Sequence, residues 1–170
     1  MAADGEFSWE VFQRCVQSVS VKFQVKALQE LQLQGLYRFV SGDDVFVNLP
    51  TGYGKSLIFQ MAPLVHVWMY ENVNSSSCWK KYPIILVLSP LIALMQDQVK
   101  KLSSLGFKAA FVGADQESTL LDEIEEGKFM FVFMSPESTL ASERWGSMLD
   151  YYSKILVQFF KMEETIFQNE

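Results

Sequence analysis

The stretch Val45-Phe46-Val47-Asn48-Leu49-Pro50-Thr51-Gly52-Tyr53-Gly54-Lys55-Ser56 decides the fold of this chain. An apolar run that suits a strand leads into a turn with two glycines, and the residues from Leu57 onward suit a long helix. A strand, a glycine-containing turn and a helix opening on Lys-Ser form the context of a phosphate-binding loop. Gly52 and Gly54 allow positive φ and let backbone N–H groups approach a polyphosphate. The unbonded N–H groups and dipole of the new helix favour an anion at the same place. In such a loop Lys55 reaches the β- and γ-phosphates and is the one catalytic candidate, while the Ser56 hydroxyl ligates Mg²⁺. The general pattern has a glycine six residues before the lysine, where this chain has Leu49. A chance Lys-Ser after a glycine-rich turn is the competing explanation, and the order of the three signals weighs against it.

Outward from the loop, residues 7–40 read as helices, with Leu28, Leu31, Leu36 and Phe39 spaced to share an apolar face. Ser41-Gly42-Asp43-Asp44 reads as a turn, and Val45–Leu49 as the first strand. Leu57–Tyr70 is the helix after the loop, with Pro63 as a kink candidate, and Asn72–Ser77 is a polar loop. Ile84–Leu88 is a continuous β-rich run of the kind buried on both faces of a parallel sheet. Ser89-Pro90 ends it, Leu91–Leu105 reads as a helix, and Gly106 is its C-terminal cap. Lys108–Val112 is the third strand, Asp115–Glu126 an acidic helix without a base, and Phe129–Met134 the fourth strand, closed by Ser135-Pro136. Ile155–Phe160 is a candidate fifth strand.

Strands alternating with helices imply right-handed βαβ units and a parallel sheet, in which ligands gather beyond the carboxyl ends of strands. The loops at Pro50–Ser56, Ser89-Pro90 and Ser135-Pro136 each leave such an end, so all three are expected on one edge of the sheet.

Composition narrows the function classes. The chain has 170 residues, 49% hydrophobic and 14% aromatic, enough for one globular domain with its own core. A formal net charge of −6 argues against bulk electrostatic nucleic-acid binding and leaves room only for a local basic track. Cys15 and Cys78 make no disulfide framework and read as reduced thiols, too few for a four-cysteine zinc site. The residues from Met1 to Glu10 lack a basic-then-apolar signal pattern. The apolar stretch from Tyr82 to Met95 is short and broken by Pro83, Ser89 and Pro90, so no bilayer span and no membrane partner are expected. A soluble intracellular protein is the expectation.

Two further segments carry chemistry. Ser89-Pro90-Leu91-Ile92-Ala93-Leu94-Met95-Gln96-Asp97-Gln98-Val99 puts a hydroxyl and a fresh helix N-terminus at the sheet edge, and Ser135-Pro136-Glu137 repeats this one strand later. Backbone N–H groups and serine hydroxyls there suit the phosphates of a nucleic-acid strand. An ordinary cap with proline in the first helical turn explains each segment taken alone.

Taken together, Pro-Thr-Gly-Tyr-Gly-Lys-Ser-Leu, the Ser89–Val99 segment and Met-Ser-Pro-Glu resemble the first half of a RecQ-like DNA helicase over about residues 25–140. They correspond to motifs I, Ia and Ib of that family, which tolerates a bulky apolar residue where Leu49 stands. The resemblance implies a P-loop, RecA-like α/β three-layer sandwich with a mainly parallel sheet, incomplete at the C-terminus. The expected layout is an N-terminal helical segment (1–24), a partial ATP-binding domain (25–152) and a divergent tail (153–170). It also implies ATP and Mg²⁺ as cofactors, held by Pro50, Thr51, Gly52, Tyr53, Gly54, Lys55 and Ser56.

Single-stranded or partly duplex DNA is the implied partner, touched by Ser89, Pro90, Leu91, Gln98, Ser135, Pro136 and Glu137. In the family, ATP turnover between two such domains drives 3′-to-5′ movement, with roles in DNA repair and recombination in the nucleus. The family also reads adenine with an upstream glutamine, and Gln32 stands at that spacing, with Gln34 as a rival. The usual aromatic and basic partners of the base are replaced by Val25 and Gln29, leaving Phe23 as a substitute. Lys100, Lys101 and Lys108 read as solvated helix ends.

The chain departs from the family after motif Ib. An Asp-Glu-Ala-His box is expected at the end of the next strand, but Lys161-Met162-Glu163-Glu164-Thr165 follows Ile155–Phe160. The single histidine, His66, lies in the helix after the loop and reads as a packed residue rather than an acid–base catalyst. Loss of an arginine finger alone costs ~10³–10⁵ in rate in related NTPases, so turnover near background is expected of these residues by themselves.

Overall fold

The computed structural model describes residues 7–50, 52–73, 79–113, 118–140 and 157–161. Thr51, Cys78 and the acids Asp115 and Glu117 lie outside these residues. The chain forms two compact units, Met1–Lys81 and Tyr82–Glu170.

The first unit is helical. Helix α1 (Trp9–Ser20) starts on Ser8, whose side chain accepts from the Val11 N–H, and runs into a 3₁₀ turn at Val21–Phe23. Helix α2 (Glu30–Val40) and helix α3 (Ser56–Asn72) follow. Both α1 and α2 lie against α3, which is buried along most of its length from Ile58 to Met69. Phe12, Cys15, Val16 and Val19 of α1 and Leu36, Phe39 and Val40 of α2 complete this core. Phe7 stacks on Tyr37 at 5.0 Å between ring centroids and leans on Trp79 at 4.8 Å, fixing the chain ahead of α1.

Two expectations for this unit need correction. Leu31 is 53% exposed, and the buried face of α2 carries Gln32 in its place. Val45–Leu49 is not a strand: it keeps the burial alternation of one, with Val45, Val47 and Leu49 turned inward and Phe46 and Asn48 outward. No neighbouring strand completes a ladder with it among the described residues, and a strand exists only through its partner.

The second unit is α/β, as expected. Strands β1 (Ile84–Leu88), β2 (Ala109–Val112), β3 (Phe131–Met134) and β4 (Val157–Lys161) form a sheet of order β2-β3-β1-β4. Each pairing is parallel. Helix α4 (Ile92–Ser104) connects β1 to β2, helix α5 (Ser118–Glu125) lies between β2 and β3, and helix α6 (Pro136–Leu140) follows β3.

One face of the sheet, with Ile84, Leu86, Ala110, Val112, Val132 and Met134, packs around Ile124 of α5. The alternate residues Ile85, Val87, Phe131 and Phe133 are buried as well, and α4 packs on β2 and β3. Burial on both faces explains why these strands read as unbroken apolar runs. The candidate fifth strand at Ile155–Phe160 appears as β4, paired with β1 from Ile84↔Val157 to Leu88↔Lys161.

Helix α4 ends as expected at Gly106, with φ +85°. The Gly106 N–H donates to the Ser103 carbonyl at 2.9 Å and the Phe107 N–H to Leu102 at 3.0 Å, the paired closure that a left-handed residue permits. The same pair of bonds closes α2 at Gly42 and α5 at Gly127.

His66 is 2% exposed, and neither ring nitrogen has a partner among the described residues. Its ring lies 5.0 Å from that of Trp79. Burial, with Lys80 adding to it, pushes its pKa down to about 3, so the folded protein holds it neutral. The folded value lies below the unfolded one, so the stability from this neutral ring is complete above pH ~6.5 and is lost as pH falls toward 3. Between pH 7 and 4.5 this single group is expected to remove ~2–3 kcal/mol from the unfolding free energy. Urea melts of wild type and His66→Met at both pH values check this, because the variant should lose that much less; equal losses would refute it.

Candidate functional site

The Pro50–Ser56 loop leads directly into α3, so its geometry rests on a buried helix. Gly52 and Gly54 have φ +83° and +77°, the left-handed values that the sequence calls for. The Tyr53 N–H donates to the Pro50 carbonyl at 3.2 Å, and the Leu57 N–H to Gly54 at 3.0 Å. Ser56 is the first residue of α3 and half-buried, so its hydroxyl stands at the helix N-terminus where a phosphate-bound cation would sit. Thr51 lies outside the described residues.

Lys55 is half-buried rather than exposed, because its Nζ donates to the Leu49 carbonyl at 2.6 Å. That bond folds the side chain back across the mouth of the loop. The general loop pattern asks for glycine at this position, yet the contact uses only the Leu49 backbone, which any residue supplies.

Gln32 reaches the loop from α2. Its Nε2 donates to the Tyr53 carbonyl at 2.7 Å and to the Gly54 carbonyl at 3.2 Å. Its Oε1 accepts from the Gln29 N–H at 2.8 Å, which also caps the start of α2. Gln34, the rival that the family spacing disfavours, is exposed and bonds Glu30 at 2.7 Å rather than the loop. Phe23 is 8% exposed and presents no open ring face for stacking, while Val25 is half-buried and Gln29 exposed. A groove of about 510 Å³ runs between α2 and residues 45–49, past Trp9, Leu31, Arg38 and Phe46. None of Gly52–Ser56 lines it.

In the second unit, β1 and β3 are neighbours and run in register to Leu88↔Met134. The Ser89 and Ser135 turns therefore leave the same edge of the sheet side by side. Ser89 is fully buried, and its hydroxyl accepts from the Leu91 N–H at 3.2 Å. Pro90 is exposed, Leu91 half-buried, and Gln98 buried at 8% exposure. Ser135 caps α6 by accepting from the Ser138 N–H at 3.1 Å. Pro136 is half-buried. Glu137 is exposed, and its own backbone N–H together with the Ser135 hydroxyl holds its carboxyl below the usual carboxylate range. Lys100 and Lys101 near the end of α4 are exposed as expected, and Lys108, also exposed, lies just ahead of β2 rather than at a helix end.

The remaining chemistry-bearing groups do not converge. Burial pushes the Cys15 thiol up to about 12, which removes thiolate reactivity near neutral pH. Among the described residues no group of three or more His, Cys, Asp or Glu is placed to hold a metal ion, and no helix is long and apolar enough to cross a membrane.

Gly54 sets the tightest tolerance in the loop. A Cβ there would lie 2.6 Å from Gln32 Nε2, whereas a Cβ on Gly52 would meet nothing within 4 Å. Both positions carry the cost of a side chain at positive φ, about 1–2 kcal/mol. Gly54→Ala also has to displace the Gln32 amide, adding about 1–3 kcal/mol for a buried polar group left without its partners. Gly54→Ala is therefore expected to lower the melting temperature clearly more than Gly52→Ala; a smaller effect at Gly54 would contradict this packing.

Residues 26–158 match the family model described as DEAD/DEAH box helicase. The chain is 33% identical over 126 residues to the ATP-dependent helicase SGS1 of Saccharomyces cerevisiae, covering 72% of this chain and 8% of that protein. It is 29% identical over 139 residues to the ATP-dependent DNA helicase Q-like SIM of Arabidopsis thaliana, covering 81% of this chain and 14% of that protein. It is 27% identical over 150 residues to the RecQ-like DNA helicase BLM of Xenopus laevis, covering 84% of this chain and 10% of that protein.

Proposed function

The chain belongs to the DEAD/DEAH box helicase family, as a RecQ-like member with an α/β fold of RecA type, and from this we propose that its Pro50–Ser56 loop binds ATP with Mg²⁺. The observation that carries the reading is the loop itself, two glycines at positive φ ahead of Lys55 and Ser56 at the start of a buried helix. Backbone N–H groups and the helix dipole receive the phosphates, Lys55 compensates their charge, and Ser56 ligates the cation. Gln32 reads the adenine edge through its amide.

In the same proposal the turns at Ser89-Pro90-Leu91 and Ser135-Pro136-Glu137, with Gln98 behind them, receive the backbone of single-stranded DNA. Adjacent helix N-termini at one sheet edge suit phosphates without reading bases. The named relatives are helicases of which this chain spans a small part, 8% of the first and 14% of the second. Movement 3′ to 5′ along DNA, in the nucleus, is proposed for a protein containing this region together with a second motor domain.

A second reading has its own support. No Asp-Glu-Ala-His run follows Met134-Ser135-Pro136-Glu137 through Glu170. Without those carboxylates to organise Mg²⁺ and the attacking water, these residues alone would bind nucleotide and DNA with turnover near background.

Lys55→Ala tests the nucleotide reading. Equilibrium binding of a fluorescent ATP analogue with Mg²⁺ should be saturable in wild type and weakened at least tenfold in the variant, with little change in melting temperature. Equal affinity in both proteins would remove the phosphate-loop assignment.

DNA binding is expected to be weak and to fall steeply with salt, since its energy would come from phosphate contacts. Fluorescence anisotropy of labelled single strands from 50 to 200 mM salt checks this; an affinity insensitive to salt would argue against phosphate contacts.

A further inference from the structure

We propose that residues 45–49 are a self-pairing edge on which a second copy of this chain docks, its own residues 45–49 serving as the antiparallel neighbour and its Asp44 meeting Lys55.

The backbone makes the demand. Residues 45–49 alternate inward and outward as a strand does, yet none of them belongs to a sheet. Among the described residues, the backbone N–H and C=O groups of Val45, Phe46, Val47 and Asn48 make no hydrogen bond. The Leu49 carbonyl accepts only from Lys55 Nζ. A strand-like run of unbonded main chain is a template for pairing with another chain.

The side chains favour association as well. Phe46 is 90% exposed, the most exposed large apolar side chain among the described residues, and Leu31 is 53% exposed. Both lie on the groove of about 510 Å³ that also takes in Trp9 and Tyr37. Contiguous apolar surface of this kind marks an interaction site.

Charge selects a second copy in antiparallel register. With Val47 opposite Val47, Val45 of one copy faces Leu49 of the other, and Asp44 lies one residue further along. Lys55 Nζ stands 2.6 Å from the Leu49 carbonyl, so the incoming Asp44 carboxylate arrives beside an ammonium. Among the described residues no carboxylate is paired with Lys55, and Asp44 is exposed and in no ion pair. Asp43, by contrast, is held by Arg38 at 3.3 Å. The pairing is two-fold, so the Asp44–Lys55 contact forms twice. It keeps the two copies of Asp44 roughly 20 Å apart, six residues at ~3.3 Å each. A parallel, in-register pairing would set Asp43 and Asp44 against their own copies, which is unfavourable.

Sedimentation equilibrium of the 170-residue chain over a range of protein concentrations tests this. Wild type should follow a monomer–dimer equilibrium whose mass stops at two chains, as a closed isologous pair requires. Phe46→Glu changes an exposed side chain, so it should keep the wild-type melting temperature while weakening the dimer at least tenfold. Asp44→Asn should weaken the dimer and flatten its salt dependence. Val47→Cys in a Cys78→Ser background reads the register. It should form a disulfide-linked dimer under mild oxidation, since facing Cα atoms in an antiparallel pair lie about 4.5–5.5 Å apart, within disulfide reach. Cys15 is buried and does not compete.

A wild type that stays a single chain at every concentration overturns the proposal, as does a mass that rises past two chains. A dimer that folded Phe46→Glu leaves intact sits on another surface and overturns it too. So does a Val47→Cys chain that oxidises to dimer no faster than the Cys78→Ser control. If Phe46→Glu does not fold, Asp44→Asn and Val47→Cys decide the matter.

Discussion

Helix α3 has to be buried on nearly every side, and the first unit is arranged around that demand. Of its 17 residues ten are buried, the unbroken stretch from Ile58 to His66 and then Met69. A helix apolar all round is stable only inside a core, so α1 and α2 serve as its walls. The consequence for the loop is direct, because the N-terminus of α3 cannot drift without unburying Ile58 and Phe59. The loop proposed to receive phosphates is therefore held on a rigid base, where precise placement of N–H groups is worth most. Even Pro63, which removes one helical hydrogen bond, is accepted inside α3, since packing rather than propensity sustains the helix.

The approach of α2 to α3 supplies the next link. A Cβ on Gly35 would sit 3.3 Å from Ile58 Cδ1 and 3.7 Å from Val47 Cγ2, so glycine is what lets the two helices and residues 45–49 come this close. Gln32 lies one turn earlier, three positions before Gly35 and on the same face. The missing side chain at 35 thus brings the amide at 32 within hydrogen-bonding reach of the Tyr53 and Gly54 carbonyls. A buried polar residue on a helix face that otherwise packs apolar side chains is costly without partners. Here the partners are the loop that the helix serves.

Much of the architecture was legible because it depends on local pattern. Ile84–Leu88 reads as a doubly buried strand and is one, since an unbroken β-branched and aliphatic run has few other uses. Gly106 reads as a helix end because only a left-handed residue allows the two closing bonds found there. What escaped the sequence depends on distant partners. Val45–Leu49 has the composition and the alternation of a strand, but pairing is a property of two segments, and one segment cannot specify it. Helical spacing made Leu31 look buried and gave no reason to bury Gln32, because the carbonyls that satisfy Gln32 lie 21 and 22 residues away. The one available hint was the family spacing that singled out Gln32 ahead of Lys55. At Ser89 the sequence offered a hydroxyl at a sheet edge, for phosphates or for an ordinary cap, and could not show that the residue is fully buried with its Oγ accepting from the Leu91 N–H, a local bond that serine makes readily.

The charge balance of the loop follows from the same geometry. Lys55 is half-buried, and among the described residues its contact is a neutral carbonyl, with no carboxylate paired to it. A carbonyl orients an ammonium and satisfies one of its three donors, but it does not cancel the charge. The positive end of α3 adds to that charge a few residues away. In a chain of net charge −6, Lys55 and the N-terminus of α3 therefore put local positive charge at one loop. Lys128, by contrast, is bracketed by Glu123 at 3.4 Å and Glu126 at 2.8 Å and has its charge matched within the protein. The two lysines differ in their partners: among the described residues Lys128 meets two carboxylates, whereas half-buried Lys55 meets a neutral carbonyl.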